Sequence, residues 1–113
     1  AKKVIVTISG LTGATVKSGA TDNKVTLADE TASGSLVLTI ADSGFSAGTG
    51  DNDGKQVATV TFTLAGGIAE LPTAAGQSLT AGADGAYTVT VVVDAAAETD
   101  VTLTIKAAPA VQA

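Results

Sequence analysis

The chain of 113 residues has no cysteine, histidine, methionine or tryptophan, and all six of its basic residues are lysines. Without cysteine and histidine it cannot form disulfides, Cys/His zinc sites, thiol redox centres, or Ser-His-Asp and Cys-His catalytic sites. Carboxylates, hydroxyls, lysine amines and the main chain are the remaining reactive groups. The composition therefore favours a protein that is not an enzyme.

Positive charge and long apolar runs are also scarce. Six lysines against eleven acidic residues give a net charge of −5 and a pI near 4.3. Nucleic-acid binding requires a basic surface, and a membrane span requires roughly 18 consecutive apolar residues. We therefore predict no nucleic-acid partner and no membrane insertion. A chain without Cys, Met and Trp suits oxidising surroundings, which favours an extracellular or virion-surface location.

Aromatic residues make up 3% of the chain, whereas hydrophobic residues make up 45%. The core must therefore consist of aliphatic side chains, and few aromatics remain for stacking against bases or sugars. What the chain does have is 18 threonines, most of them interleaved with Val, Leu and Ile, and 13 glycines that fall mainly between those runs. β-Branched residues at alternate positions are typical of strands.

The two-residue alternation predicts which side chains of each strand face the core. The predicted inward rows are Val4, Val6 and Ile8; Val25 and Leu27; Leu36, Leu38 and Ile40; Ala58, Val60, Phe62 and Leu64; and Tyr87, Val89, Val91 and Val93. Shorter runs at 14–17, 68–72 and 77–80 are candidate additional strands. About seven strands with regularly spaced turns predict an antiparallel β-sandwich over residues 1–106, followed by a tail at 107–113.

Residues 54–71, 83–91 and 100–105 carry the cadence V-T-F-T-L, then G-G-I-A, then D-G-A-Y-T-V-T-V and V-T-L-T. This cadence resembles the bacterial immunoglobulin-like domains of the invasin and intimin type. The resemblance implies an all-β, immunoglobulin-like antiparallel β-sandwich that serves as a spacer, adhesin or surface-display module. Small decoration and tail-associated proteins of bacteriophages use this sandwich as free units, so a virion surface competes with a cell surface as the expected location.

The loop at 48–54 is a candidate calcium site. Asp51 and Asp53 supply the carboxylate oxygens that Ca²⁺ prefers, and Gly54 permits a tight turn. The helix-loop-helix calcium motif does not fit, because Thr49 and Val60 would occupy positions where carboxylates are required. The alternative is that this Asn/Asp/Gly cluster forms only a turn.

Two pairs of neighbouring carboxylates, Asp29 with Glu30 and Glu98 with Asp100, are candidates for acid–base work or metal binding. No aromatic residue that could shelter them lies nearby in the sequence. The favoured interpretation is that they are solvated turn charges.

Threonines on the outward side of several strands form a third candidate site. Regular hydroxyl arrays can order water or contact polysaccharide, but the favoured interpretation is that Thr simply suits solvent-facing strand positions. The threonines considered for such an array are Thr59, Thr61, Thr63, Thr88, Thr90, Thr102 and Thr104.

Strand edges offer a route to assembly, because an added strand binds through main-chain hydrogen bonds. The predicted interface comprises Val4, Ile5 and Val6 of the first strand and Val111 of the tail, and an outer apolar patch is expected from Ile5, Val37 and Val92. We predict a homo-oligomer or polymer, or a unit that coats a capsid or surface lattice. The expected function is a non-enzymatic structural module that forms a filament or tube or decorates a lattice. The alternatives are an adhesin or glycan-binding module, and a monomeric spacer.

Overall fold

The computed structural model of the chain describes residues 2–70, 72 and 74–109. Within these residues the chain forms ten strands and three short 3₁₀ turns, and no helix is long and apolar enough to cross a membrane. The strands are β1 (Val4–Thr12), β2 (Thr15–Ser18), β3 (Lys24–Leu27), β4 (Ser33–Ile40), β5 (Ser46–Ala47), β6 (Gln56–Ala65), β7 (Gly67–Glu70), β8 (Gln77–Ala81), β9 (Ala86–Val93) and β10 (Thr99–Ala107).

The strands form two antiparallel sheets. The larger sheet has the order β3-β1-β6-β9-β8, with β5 paired to the start of β6, and the smaller sheet has the order β2-β4-β10-β7. The predicted all-β antiparallel sandwich is confirmed. It contains ten strands rather than about seven, because the short runs form the edge strands β2, β7 and β8, and because β5 adds a two-residue strand.

Most connections cross from one sheet to the other. Among consecutive strands, only β5–β6 and β8–β9 are neighbours within one sheet. The β8–β9 hairpin turns at Ala83–Gly85, where Asp84 and Gly85 have φ angles of 57° and 79°. A Cβ atom on Gly85 would lie 2.4 Å from the Leu64 carbonyl oxygen, so the turn requires glycine there. Strand order along the chain is thus a poor guide to the neighbours in a sheet.

The core lies between the two sheets and is largely aliphatic. Every residue of the predicted inward rows is buried except Val93, which is half-buried and packs against the core. The smaller sheet adds Val101, Leu103, Ile105 and Ala107 from β10. Full burial of one large aliphatic side chain contributes about 1.5–3 kcal/mol. No polar or charged residue is buried as a whole in the described part of the chain, so apolar packing provides most of the stability.

Tyr87 links the two sheets at one flank of the sandwich. Its ring stacks on Phe62, with the ring centroids 5.6 Å apart. Its hydroxyl oxygen accepts a hydrogen bond from the main-chain N–H of Ala69 in β7 at 3.2 Å. Phe45, Phe62 and Tyr87 are all buried. The three aromatic residues therefore serve the core and are absent from the outer faces.

The two ends of the described chain differ from the sequence-based expectation. β1 is an inner strand, with β3 on one side and β6 on the other. β10 continues to Ala107, which is fully buried and pairs with Gly67, and the main-chain N–H of Ala108 donates to Gly66 O at 3.1 Å. The tail predicted to begin at residue 107 therefore starts inside the last strand.

Candidate functional site, a threonine face

Hydroxyl side chains cover the outer surface of the larger sheet. The strand register pairs Thr59 with Thr90 and Thr61 with Thr88. β8 and β1 extend the same surface on either side. All of these side chains are exposed or half-buried. We call this surface the threonine face and define it as Ser9, Thr12, Thr59, Thr61, Thr63, Ser78, Thr80, Thr88 and Thr90.

The longest row of the threonine face crosses four strands. Thr12, Thr61, Thr88 and Thr80 are directly opposite one another on β1, β6, β9 and β8. Facing residues in antiparallel pairs have Cα atoms roughly 4.5 or 5.5 Å apart, depending on whether the pair exchanges main-chain hydrogen bonds. The row therefore spans about 15 Å. A second, shorter row contains Ser78, Thr90 and Thr59.

A β-bulge in β1 places Thr12 in that row. Ser9 pairs with Thr63, but the next pair is Thr12 with Thr61, so β1 has one more residue than β6 over this stretch. Gly10 has a φ of 64°, a conformation that glycine adopts without strain. Leu11 packs against the core. The bulge thus keeps an aliphatic residue inside and returns a hydroxyl to the outer face.

The threonine face carries no formal charge. None of the four strands β1, β6, β8 and β9 contains Asp, Glu or Lys. Their other outward residues are aliphatic or threonine, namely Ile5, Thr7, Val57, Ala65, Ala86 and Val92. These four strands therefore present a polar, uncharged surface in a protein whose net charge is −5. Lys24 of the edge strand β3, which is exposed and pairs with Thr7, adds a positive charge at the rim of the same outer face.

The outer face of the smaller sheet is charged. Lys17 Nζ lies 2.6 Å from Asp100 Oδ2, and the Thr39 hydroxyl donates to Asp100 Oδ1 at 2.9 Å. The hydrogen bond from Lys17, followed by that from Thr39, lowers the pKa of Asp100 below its usual value, and the same ion pair raises the pKa of Lys17. Lys106 and Glu70 form a second ion pair at 2.8 Å. The two outer surfaces of the sandwich thus differ in charge.

The structure brings together five of the seven threonines considered for the array, namely Thr59, Thr61, Thr63, Thr88 and Thr90. Thr102 and Thr104 lie on β10 in the smaller sheet, on the opposite outer surface, and are therefore separate from the other five. Sequence reasoning missed Thr12 and Thr80. The pattern within a strand does not reveal its neighbours, so only the register could have identified them.

The expected outer apolar patch does not form. Ile5 is 54% exposed near the start of β1, opposite Thr26. Val92 pairs with Val57 at the far end of β9, and Val37 lies on the smaller sheet. These apolar side chains are therefore separate from one another.

Of the predicted interface residues, Val4 and Val6 are buried in the core. Ile5 is exposed, and Val111 lies outside the described residues. β1 pairs with β3 through Val4–Thr7 and with β6 through Thr7–Thr12, so residues 4–6 have a hydrogen-bonded strand on one side only. The short strands β2, β3, β5, β7 and β8 are also paired on one side only within the part of the chain that the structure describes.

An apolar groove opens between the edge strands β7 and β8. Its volume is about 600 Å³, and it is lined by Ile68, Ala69, Glu70, Leu79, Ala81 and Tyr87. The groove therefore lies beside an open edge of each sheet.

Asp51 and Asp53 lie in an exposed loop around the 3₁₀ turn Gly50–Asn52. The carbonyl oxygens of Thr49, Gly50 and Asn52 accept hydrogen bonds from the main-chain N–H groups of the residues three positions later. Within the described ranges, no group of three or more His, Cys, Asp or Glu side chains is arranged to hold a metal ion. These main-chain hydrogen bonds close the loop.

One carboxylate of each predicted pair, Asp29 and Asp100, takes part in local hydrogen bonds or an ion pair. No such contact is seen for Glu30 or Glu98 among the described residues. Asp29 Oδ1 accepts hydrogen bonds from the Thr31 N–H at 2.8 Å and from the Thr31 hydroxyl at 2.6 Å. These bonds lower the pKa of Asp29, as expected for a carboxylate that closes a turn. Asp100 is paired with Lys17. Both groups are stabilised as carboxylates, which makes them poor proton donors near neutral pH.

No family model, curated protein or solved structure matches this chain. The resemblance to invasin- and intimin-type domains therefore remains a prediction.

The thermal unfolding midpoint should be the same in millimolar calcium and in a chelator, because the Gly50–Asn52 loop is closed by its own hydrogen bonds. A ligand that binds only the folded state raises this midpoint. Differential scanning calorimetry provides the measurement. An increase with calcium that is lost in D51N and D53N would instead identify a calcium site.

Stability should fall on acidification. Asp29, Asp94 and Asp100 have lowered pKa values in the folded state, so their ionised forms stabilise the fold above the ordinary pKa of about 3.9. This stabilisation is lost as the pH falls through the lower folded-state values. Urea midpoints measured between neutral pH and about pH 2 test this.

The variant D100N should show a weaker dependence on pH, because it removes one of the three shifted carboxyls. D51N is the matched control, since the Asp51 side chain is exposed and has no hydrogen bond or ion pair with the rest of the described chain. Equal pH dependence in D100N and wild type would contradict the role of Asp100.

Proposed function

We propose that this protein is a non-enzymatic structural module of an extracellular or virion surface, and that the threonine face is the surface by which it adheres to a hydroxyl-rich polymer. The main support for the proposal is the strand register, which places nine hydroxyl side chains side by side on four strands that contain no charged residue. Each hydroxyl can donate one hydrogen bond and accept two. Such a surface is complementary to the hydroxyls of a polysaccharide.

Four of the eleven acidic residues, all of them outside this surface, have structural partners. Asp100, Asp94 and Glu70 form ion pairs with Lys17, Lys55 and Lys106, and Asp29 closes a turn. The proposal of a non-enzymatic role is supported by these local roles and by the lack of histidine and cysteine.

A single charge on the threonine face should abolish adhesion. In T61E, a carboxylate would stand at the centre of the longest hydroxyl row and would have to be desolvated at the contact. The matched control is T102E, which places the same charge on the outer face of the smaller sheet, where Thr102 is also exposed. The measurement is co-sedimentation with a panel of insoluble polysaccharides, including cellulose, chitin and peptidoglycan.

Wild type and T102E should sediment with at least one of these polymers, whereas T61E should remain in the supernatant. Circular dichroism verifies that both variants are folded. Equal behaviour of the two variants, or no sedimentation of wild type with any polymer, would contradict the proposal.

Self-assembly through strand edges is a second candidate function, and the groove between β7 and β8 favours it. In an antiparallel strand, the main-chain N–H and C=O groups of alternate residues point to the same side. The Val92 N–H donates to Gly76 O, so in β8 the main-chain groups of Ser78 and Thr80 also point toward β9. Those of Ala81 point the other way, toward the open edge of the sheet. A strand added there would gain main-chain hydrogen bonds and could place side chains in the groove.

The variant A81P tests this assembly, because proline removes the edge-facing N–H of Ala81 without removing a bond to β9. If copies assemble through this edge, wild type and A81V should form oligomers whose mass rises with concentration in light-scattering chromatography, and A81P should be a monomer. Oligomers that persist in A81P would exclude this edge, and a wild type that remains a monomer would exclude self-assembly.

A further inference from the structure

We infer that the polymer bound by the threonine face is a neutral, extended β-linked polysaccharide whose chain runs across the strands along the row Thr12–Thr61–Thr88–Thr80. This inference rests on the proposed function and adds the chemical class and the direction of the ligand. The inference is based on the alignment of four threonines, one from each of four neighbouring strands, in a single row across the sheet.

The direction follows from the spacing of the hydroxyls. Across the strands, neighbouring threonines are roughly 5 Å apart on average, which is close to the length of one sugar residue in an extended β-linked chain. Along a strand, outward residues such as Thr59 and Thr61 are separated by two residues, or about 6.7 Å. Successive sugars can therefore meet successive threonines only when the chain crosses the strands.

The inference that the polymer is neutral follows from the distribution of charged residues on the protein. An anionic polymer would approach a protein with a net charge of −5 and would meet no lysine on β1, β6, β8 or β9. A cationic polymer would find no carboxylate on these strands. Neutral sugar hydroxyls, in contrast, can both donate to and accept from the threonine hydroxyls.

The length of the row sets how much of the ligand is bound. About 15 Å across four strands accommodates roughly three sugar residues. The buried aromatics Phe45, Phe62 and Tyr87 cannot stack on these sugars, so hydrogen bonds and methyl contacts must provide the affinity. Each contact is therefore weak, and binding should depend on the whole row.

Two double variants that remove the same number of hydroxyls distinguish the two directions. T12V/T80V removes the ends of the row across the strands, and T59V/T63V removes the ends of the line along β6. Thr61 remains in both, and valine preserves the shape and strand preference of threonine. The probes are immobilised amorphous cellulose, which is neutral and β-linked, and polygalacturonate, which is anionic and α-linked.

Wild type should bind cellulose more strongly than polygalacturonate. T12V/T80V should weaken cellulose binding about tenfold, because two hydrogen bonds are lost, whereas T59V/T63V should change it by less than about threefold. T12S/T80S should restore most of the binding, since serine retains the hydroxyl.

If T59V/T63V weakens cellulose binding more than T12V/T80V does, the inferred direction of the polymer chain is wrong. If T61E abolishes binding but wild type binds polygalacturonate more strongly than cellulose, the inferred class of a neutral, β-linked polymer is wrong, while the proposed function stands. Failure of the proposed function itself has a different signature, namely no binding to any polymer or equal binding by T61E and T102E.

Discussion

The alternation of aliphatic and hydroxyl residues with a period of two is the constraint on which both the core and the threonine face depend. In β6, Val60 is fully buried between Thr59 and Thr61, which are exposed. Shifting the register of a strand by one residue would turn its hydroxyls into the core and its aliphatic residues into water. The apolar burial that holds the sheets together therefore also determines which hydroxyls face outward.

β1 shows how this constraint survives an interruption of the pattern. Strict alternation from Val4, Val6 and Ile8 would turn Gly10 inward and Leu11 into solvent. The bulge at Gly10 and Leu11 changes the phase of the strand, so that Leu11 packs inward and Thr12 faces Thr61. The bulge thus protects the core and lengthens the hydroxyl row to four strands.

The faces of individual strands were predictable from the sequence, because they depend only on local alternation and on the need to bury aliphatic residues. The sheet to which each strand belongs was not. Thr102 and Thr59 occur in similar alternating patterns but lie on opposite outer surfaces. The interior position of β1 and the alignment of Thr12 with Thr80 likewise depend on long-range pairing, since most connections cross between the sheets.

The neutral threonine face has a consequence for selectivity. Charged side chains lie in the loops, on the edge strand β3 and on the ion-paired face of the smaller sheet, whereas the threonine face has none. Its hydroxyls are well hydrated, and a partner must replace the hydrogen bonds of the water that it displaces. An apolar partner would leave buried hydroxyls unpaired at a cost of about 1–3 kcal/mol each. A surface rich in donors and acceptors avoids that cost, and the hydroxylated polymer that we propose as the partner is such a surface.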